Sequence, residues 1–177
     1  MHRRFATVSI GVIGATVLAA SLAARPQTPG VGEVRFPTSA GPAAQAVFLT
    51  GLAQLHNFEY DDAARLFRDA QKAEPSFAMA YWGEAMTYNH PVWMQQDRPA
   101  AVAVLNRLGP TPEARAAKAP TPREKDYLHA VEVLYGPGEK YARDVAYAYA
   151  MADLSAKYKD DADAAAFHAL ALLGTAH

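Results

Sequence analysis

Two histidines, His56 and His90, are the residues whose type and spacing most favour chemistry in this chain. They lie 34 residues apart, so in a regular helical repeat of that period they would occupy equivalent positions on neighbouring units. Neutral imidazole is the commonest nitrogen ligand for zinc and copper. Two imidazoles converging from stacked helices are therefore one hypothesis for a metal site or a metal-dependent enzyme. His168, Glu84 and Glu59 are the further candidate ligands.

A structural role is the alternative for both histidines, in which they cap helix ends and bond to backbone carbonyls. The chain has no paired-histidine motif such as H-E-x-x-H, and it has no cysteine. Ser39, Ser76 and Ser155 have no convincing catalytic partners, and the glycines do not form a phosphate-binding loop. The sequence thus favours the structural interpretation, and it predicts no catalytic residue and no cofactor.

Helices must position these side chains. Apolar residues recur at helical spacing from about 43 to 56 and from about 61 to 73, and a third helix is expected over about 77–89. Asp61 and Ser76 are the expected caps of the second and third helices. Pro91 restricts the conformation of His90 and should stop the third helix there.

The second half of the chain continues the helical pattern after an interruption. Asp97 predicts the start of a short helix over about 98–108, and an alanine-rich stretch over 111–120 should be a weak helix. Thr121, Pro122 and Glu124 form a capping-box signature. Helices over about 122–135, 139–158 and 162–176 then complete an all-α fold.

Small and aromatic residues recur between Phe48 and Tyr88 at positions typical of paired helices. The pattern consists of Gly51, Tyr60, Ala63, Phe67, Ala70 and Pro75, followed by Tyr81, Ala85 and Tyr88. This layout resembles the tetratricopeptide repeat, whose period is about 34 residues. The resemblance covers about residues 44–88, and Phe167-x-x-Leu170-Ala171 is similar to the opening helix of a further unit. The chain is also similar to exported bacterial repeat proteins that contain Ala-Tyr-Trp-Gly and Asn-His-Pro segments.

Two residues depart from the family pattern. Thr50 and Glu84 stand where the family usually has leucine. Either the register of the repeat is locally different, or a polar contact is built into the helix packing.

The resemblance implies an α-α superhelix, or solenoid, of antiparallel helix pairs over residues 42–177, with ligands bound on its concave face. Carried onto this sequence, the ligand-binding residues would be Phe48, Leu52, His56, Trp82, Met86, Asn89 and His90, with Leu55, Met79, His168 and Leu172 beside them. Such an apolar, aromatic surface would suit an extended peptide with apolar side chains. It lacks the lysine and arginine clamp that would favour a carboxylate or a phosphate. The implied function is a protein- or peptide-binding or assembly module.

The first 23 residues read as a secretory signal peptide. Arg3 and Arg4 precede an apolar run from Phe5 to Ala20, and Ser21-Leu22-Ala23 supplies the small-x-small cleavage pattern. An uncleaved anchor is the alternative, but the run is shorter than the roughly 20 residues of a membrane-spanning helix. Cleavage predicts an exported protein, periplasmic or extracellular in a bacterium, with no stable membrane span.

Residues 24–41, rich in proline and glycine, should form an extended leader before the helical domain. Removing residues 1–23 changes the formal charge from −1 to −3 through loss of Arg3 and Arg4. The basic residues are dispersed, which predicts no nucleic-acid partner.

The last expected helix carries an apolar stripe that no later helix covers. The stripe consists of Phe167, Leu170, Ala171 and Leu173. Helical repeats bury such a face against the next unit. The stripe therefore predicts either further chain after His177, so that this sequence is an amino-terminal fragment, or self-association through this end.

Overall fold

The structure is a computed structural model, and it describes residues 32–176. The predicted signal peptide over residues 1–23 and the leader from 24 to 31 lie outside the described residues. Residues 32–38 form neither helix nor strand. The described chain is otherwise mostly helical, as the all-α prediction requires.

Eight α-helices make up the described part of the chain. They are α1 (Pro42–His56), α2 (Tyr60–Ala73), α3 (Ala78–Met86), α4 (Arg98–Leu108), α5 (Pro112–Ala116), α6 (Pro122–Leu134), α7 (Lys140–Lys157) and α8 (Ala162–Gly174). None of these helices is both long enough and apolar enough to cross a membrane.

Side-chain caps start four of the helices. Thr121 and Glu124 form the predicted capping box at α6, and the Asp97 carboxylate accepts the predicted cap bond of α4 from the Ala100 N–H. Asp161 and Thr111 cap α8 and α5 in the same way. These caps satisfy backbone donors that a helix start would otherwise leave unpaired.

The two other expected caps were wrong, Asp61 by two residues and Ser76 by one. Helix α2 begins at Tyr60 after Glu59, and α3 begins after Phe77, with no side-chain bond at either start. The Phe77 ring is 2% exposed and contacts Phe48 at a centroid distance of 5.3 Å. Burial of this ring, and not a hydroxyl cap, accompanies the start of α3.

The third helix ends earlier than expected, at Met86, and a small hairpin replaces its last turn. Strands β1 (Asn89–His90) and β2 (Gln95–Gln96) pair antiparallel around a 3₁₀ turn at Pro91–Trp93. The predicted break at His90-Pro91 is therefore present, but it forms a turn of defined structure and not an irregular loop.

Consecutive helices pack against each other through α1–α4 and again through α6–α8, and α6 packs against α3. Phe67 of α2 lies where α1 and α3 approach. A Cβ added to Gly51 would lie 3.1 Å from Phe67 Cε1, and one added to Gly83 would lie 2.6 Å from Phe67 Cδ1. The two glycines let their helices contact the ring of a fully buried phenylalanine. This close packing is the arrangement that the small and aromatic residues predict.

Candidate functional site

The predicted ligand-binding side chains lie mostly in the interior. Phe48 and Leu52 of α1 are 0% exposed and Trp82 of α3 is 1% exposed, while Met86 and Asn89 are also buried. The expectation of an open apolar groove along these residues is therefore not met in the described structure. Of the seven predicted residues, only His56 and His90 are partly accessible.

Two parts of the same chain cover this surface. Phe167 of α8 meets Trp82 edge to face, at a centroid distance of 5.4 Å. On another side of the indole lies Phe36, from the segment before α1, stacked at 5.9 Å with an interplanar angle of 20°. We call residues 32–41 the N-terminal segment.

Phe36 fills an aromatic pocket between α1, α3 and α6. Its ring lies 5.5 Å from that of Phe48 and 5.1 Å from that of Tyr127, with Trp82 as the third wall. The Arg123 guanidinium carbon sits 3.9 Å above the ring centroid, a cation–π contact. Phe36 is 1% exposed, so this pocket buries it completely.

Side chains of the helical domain also hold the backbone of the segment. Gln45 Nε2 donates to the Phe36 carbonyl at 2.7 Å, and Arg123 Nη1 donates to the Pro37 carbonyl at 3.2 Å. The Ser39 N–H and hydroxyl both donate to Glu124 Oε1 at 2.8 Å.

Two further contacts complete this anchoring. The Gly41 N–H donates to Glu74 Oε2 at 2.8 Å, and the Thr38 hydroxyl donates to Gln45 Oε1. Along the segment, two carbonyl acceptors at residues 36 and 37 are thus followed by donors at residues 38, 39 and 41. Side chains of the domain hold the segment through all of these groups.

The side chains of the segment alternate between the domain and the solvent. Phe36 is buried and Val34, Thr38 and Ala40 are partly buried, whereas the residues between them are exposed, namely Glu33, Arg35, Pro37 and Ser39. An alternation with a period of two is the signature of an extended chain lying on a surface.

The start of α6 presents Arg123 and Glu124 to the segment. Glu124 is 1% exposed, and its Oε2 accepts from the Thr121 backbone at 3.2 Å while its Oε1 accepts from Ser39. One buried carboxylate therefore closes the capping box and binds the segment.

Arg123 is held by the cap of α8. Its Nε donates to Asp161 Oδ2 at 2.6 Å, and the other oxygen of Asp161 caps α8. The Tyr127 hydroxyl donates to the same Oδ2 at 3.0 Å, and burial raises the pKa of that phenol. The pocket and the beginning of α8 thus share one carboxylate.

The two histidines have different surroundings. His56 Nε2 lies 2.7 Å from Asp163 Oδ1, and its ring packs against Phe167. His90 stacks on Tyr60 at 3.8 Å, and its Nε2 lies 3.0 Å from the Thr87 carbonyl, which can only accept a hydrogen bond. His90 therefore has the expected bond to a backbone carbonyl, whereas His56 is paired with a carboxylate.

Neither histidine belongs to a metal-ligand cluster in the described structure. Residues 32–176 contain no group of three or more histidine, cysteine, aspartate and glutamate side chains placed to hold a metal ion. Glu84, a candidate third ligand, forms ion pairs with Arg68 at 3.3 Å and with Arg107. Its carboxylate is already compensated by these cations.

Glu84 instead forms the built-in polar contact that its departure from leucine indicates. The side chain is 2% exposed, and Gln71 Nε2 donates to Glu84 Oε2 at 2.6 Å. The other departing residue, Thr50, donates its hydroxyl to the Ala46 carbonyl at 3.1 Å within α1.

Sequence reasoning found only part of the pocket. The expected binding residues included two walls of the pocket, Phe48 and Trp82. They did not include the remaining residues that form the pocket or hold the segment, namely Phe36, Gln45, Arg123, Glu124 and Tyr127. The available signal was Phe36 itself, which is the only aromatic residue between 24 and 41.

Comparison of the chain with protein-family models, with curated proteins and with solved structures finds no significant match.

Proposed function

We propose that this protein is an exported binding or assembly module, with a fold similar to tetratricopeptide repeats, that holds extended polypeptide segments on the helices α1, α3 and α6. The observation that carries this proposal is the insertion of Phe36 into the aromatic pocket, with its carbonyl, the Pro37 carbonyl and the Ser39 N–H bonded to domain side chains. A side-chain pocket together with side chains that bind the backbone is the combination by which proteins recognise extended peptides, and this supports the proposal.

The order of helix packing supports the repeat-like part of the proposal. Helix α1 packs on α2, α3 on α4 and α6 on α7, while α3 contacts both α1 and α6. Helices α2 and α3, and α7 and α8, pack on each other as well, as neighbouring layers of a repeat do. In a helical repeat, the first helices of successive pairs are neighbours and share one binding face. The pocket lies among these first helices.

Selection of random decapeptides tests the proposal. The full chain carrying Phe36→Ala, which empties the pocket, and a matched chain carrying Tyr149→Ala are both used as bait. Tyr149 is 72% exposed and lies on α7, away from the pocket. We expect to select peptides that bind the Phe36→Ala chain and quench or shift its tryptophan fluorescence. No enrichment over the Tyr149→Ala chain would contradict a peptide-binding function.

Elemental analysis separates this proposal from the metal hypothesis. Stoichiometric zinc, copper or iron that disappears when His56 and His90 are both replaced by alanine would contradict the binding module and support a metal-binding protein. Retention of peptide capture by the same double variant would support the proposed function.

Export makes a separate prediction. Expression of the full sequence in a Gram-negative host should place the chain in the periplasmic fraction with its first residue at Ala24, because cleavage is expected after Ala23. Intact-mass spectrometry checks the cleavage. A chain of full-length mass in the membrane fraction would favour the uncleaved anchor instead.

A further inference from the structure

We propose that the N-terminal segment is an intramolecular competitor for the peptide site, and that the site takes extended partner segments with an aromatic anchor and small or apolar residues at alternate positions. This inference rests on the proposed function. It adds the class of ligand and the means by which the site is kept closed in the free protein.

The ligand class follows from what the segment presents to the domain. The side chains of Val34, Phe36, Thr38 and Ala40 turn inward, and only Phe36 enters a closed pocket. Their spacing of two residues sets the positions that a partner must match. The intervening residues are exposed, so a partner can vary at the positions of Glu33, Arg35 and Pro37. The position of Ser39 is restricted, because its hydroxyl bonds to Glu124.

Backbone groups set the direction and register of the partner. The carbonyl of the anchor residue meets Gln45, and the carbonyl of the next residue meets Arg123. The third residue after the anchor must bring an N–H to Glu124, and a hydroxyl there adds a second bond to the same oxygen. The carboxylate of Glu124 is buried and accepts, so an acidic residue at this position would be repelled.

The peptide site stays closed in the free protein because the N-terminal segment is covalently joined to the domain. The segment joins α1 directly, since Gly41 precedes Pro42. A tether this short gives the segment an effective concentration of about millimolar or more at its own site. A free peptide of the same sequence must overcome this advantage, so the intact chain should bind it weakly.

Loss of the anchor should open the site. Phe36→Ala removes the ring that contacts Phe48, Trp82 and Tyr127, and the tethered segment then competes poorly. Arg35→Ala is the matched control, because Arg35 is the adjacent residue in the same segment and its side chain is exposed.

The probe is a fluorescein-labelled peptide with the sequence of residues 32–41, GEVRFPTSAG. Fluorescence anisotropy with the full chain should give a dissociation constant at least about tenfold lower for Phe36→Ala than for the wild-type or Arg35→Ala chains. A peptide with alanine in place of its phenylalanine should bind the Phe36→Ala chain at least about tenfold more weakly than the probe. A peptide with alanine in place of its arginine should bind within about twofold of the probe.

Three results would overturn the inference. If a folded Phe36→Ala chain binds the probe no better than Arg35→Ala, the N-terminal segment does not compete for the site. If the probe and the peptide lacking phenylalanine bind equally, the aromatic residue is not the anchor. If the random decapeptides that bind the Phe36→Ala chain contain no aromatic residue, the proposed class of ligand is wrong, but the proposed function still holds.

Two further arms keep the test decisive if Phe36→Ala lowers the helical content. Phe36→Leu retains an apolar side chain and should give the same ranking of peptides with a smaller change. In the wild-type chain, millimolar probe should speed hydrogen exchange at the amides of Ser39 and Gly41, which are bonded to Glu124 and Glu74. Unchanged exchange at both amides would contradict displacement of the segment.

Discussion

Trp82 lies where three aromatic rings of the described chain meet. Phe36 stacks on it, while Tyr127 and Phe167 meet it edge to face at 5.3 and 5.4 Å. Such ring pairs add to the free energy of burial because the edge of one ring is attracted to the face of another. The indole therefore joins the N-terminal segment, α6 and α8 to α3.

Replacing Trp82 with alanine should destabilise the fold. Truncation of a buried tryptophan leaves a cavity and costs about 3–5 kcal/mol. Urea unfolding followed by far-UV circular dichroism measures the change. Trp93 is the matched control, because it is 53% exposed, and Trp93→Ala should cost less than about 1 kcal/mol. A Trp82→Ala chain with wild-type stability and impaired peptide binding would instead place the indole on an open surface.

Glu84 shows how a buried carboxylate is accommodated between helices. Gln71, Arg68 and Arg107 supply its hydrogen bonds, and both arginines are about half exposed at their side chains. Solvent can therefore hydrate the cations if the carboxylate is removed. The buried amide of Gln71 has no such access and depends on Glu84 for one of its bonds.

Glu84→Leu should destabilise the protein by about 1–3 kcal/mol, because it leaves the Gln71 amide short of an acceptor. The double variant Glu84→Leu with Gln71→Leu removes both partners and should recover part of that loss. Chemical denaturation of the single and double variants measures this coupling. Additive losses in the two single variants would show that Gln71 does not depend on Glu84.

At the scale of helices, Phe67 determines how closely α1, α2 and α3 can approach. Its ring is fully buried and lies against Gly51 on one helix and Gly83 on another. A buried ring cannot rotate away as the end of a flexible side chain can. The two glycines thus differ from other helical positions, where alanine would be the better helix former.

Gly83→Ala should destabilise the domain by about 1–3 kcal/mol, because the new Cβ would overlap the Phe67 ring. Gly51→Ala should have a smaller effect, since its Cβ would lie 3.1 Å from the ring and alanine adds about 1 kcal/mol of helix propensity. Thermal unfolding of the two variants gives the comparison. Equal effects would mean that the packing around Phe67 yields at both positions.

Helix positions could be predicted where local chemistry decides them. The capping box at Thr121 and the aspartate cap at Asp97 were found from a few neighbouring residues, and the structure contains both. The start of α3 could not be found in this way, since Ser76 gives a local signal that the burial of Phe77 overrides. Distant contacts decide such positions.

At the scale of the molecule, one continuous core runs from Phe36 to Ala171. His56 of α1 and Asp163 of α8 are 107 positions apart in the chain, yet they are paired. A linear array of repeats has contacts only between neighbouring units. The described chain also has contacts between its first and last helices, so we expect it to unfold as one unit.

Coincident unfolding curves would show this cooperativity. A Trp93→Phe chain retains Trp82 as its only tryptophan, because the sequence contains two. Its fluorescence should report the core, and far-UV circular dichroism should report the helices. Both should change at the same denaturant concentration. Separate transitions would indicate that the helix pairs unfold one after another.

The inward side of the helices could be predicted from the sequence, but its covering could not. Periodicity places Phe48 and Trp82 on an apolar face. It does not say whether a partner or the same chain buries that face. Phe36 and Phe167 supply the cover from opposite ends of the described chain, and such pairing leaves no local pattern.

Ser39 and Glu124 are 85 residues apart, which has a consequence for biosynthesis. Ribosomes add about 5–20 residues per second, so the segment leaves the exit tunnel on the order of ten seconds before the start of α6 leaves it. During that interval the pocket around Phe36 lacks Tyr127 and Arg123, which α6 supplies. The aromatic side chain therefore waits for its last neighbours, and this part of the core can close only after α6 has been made.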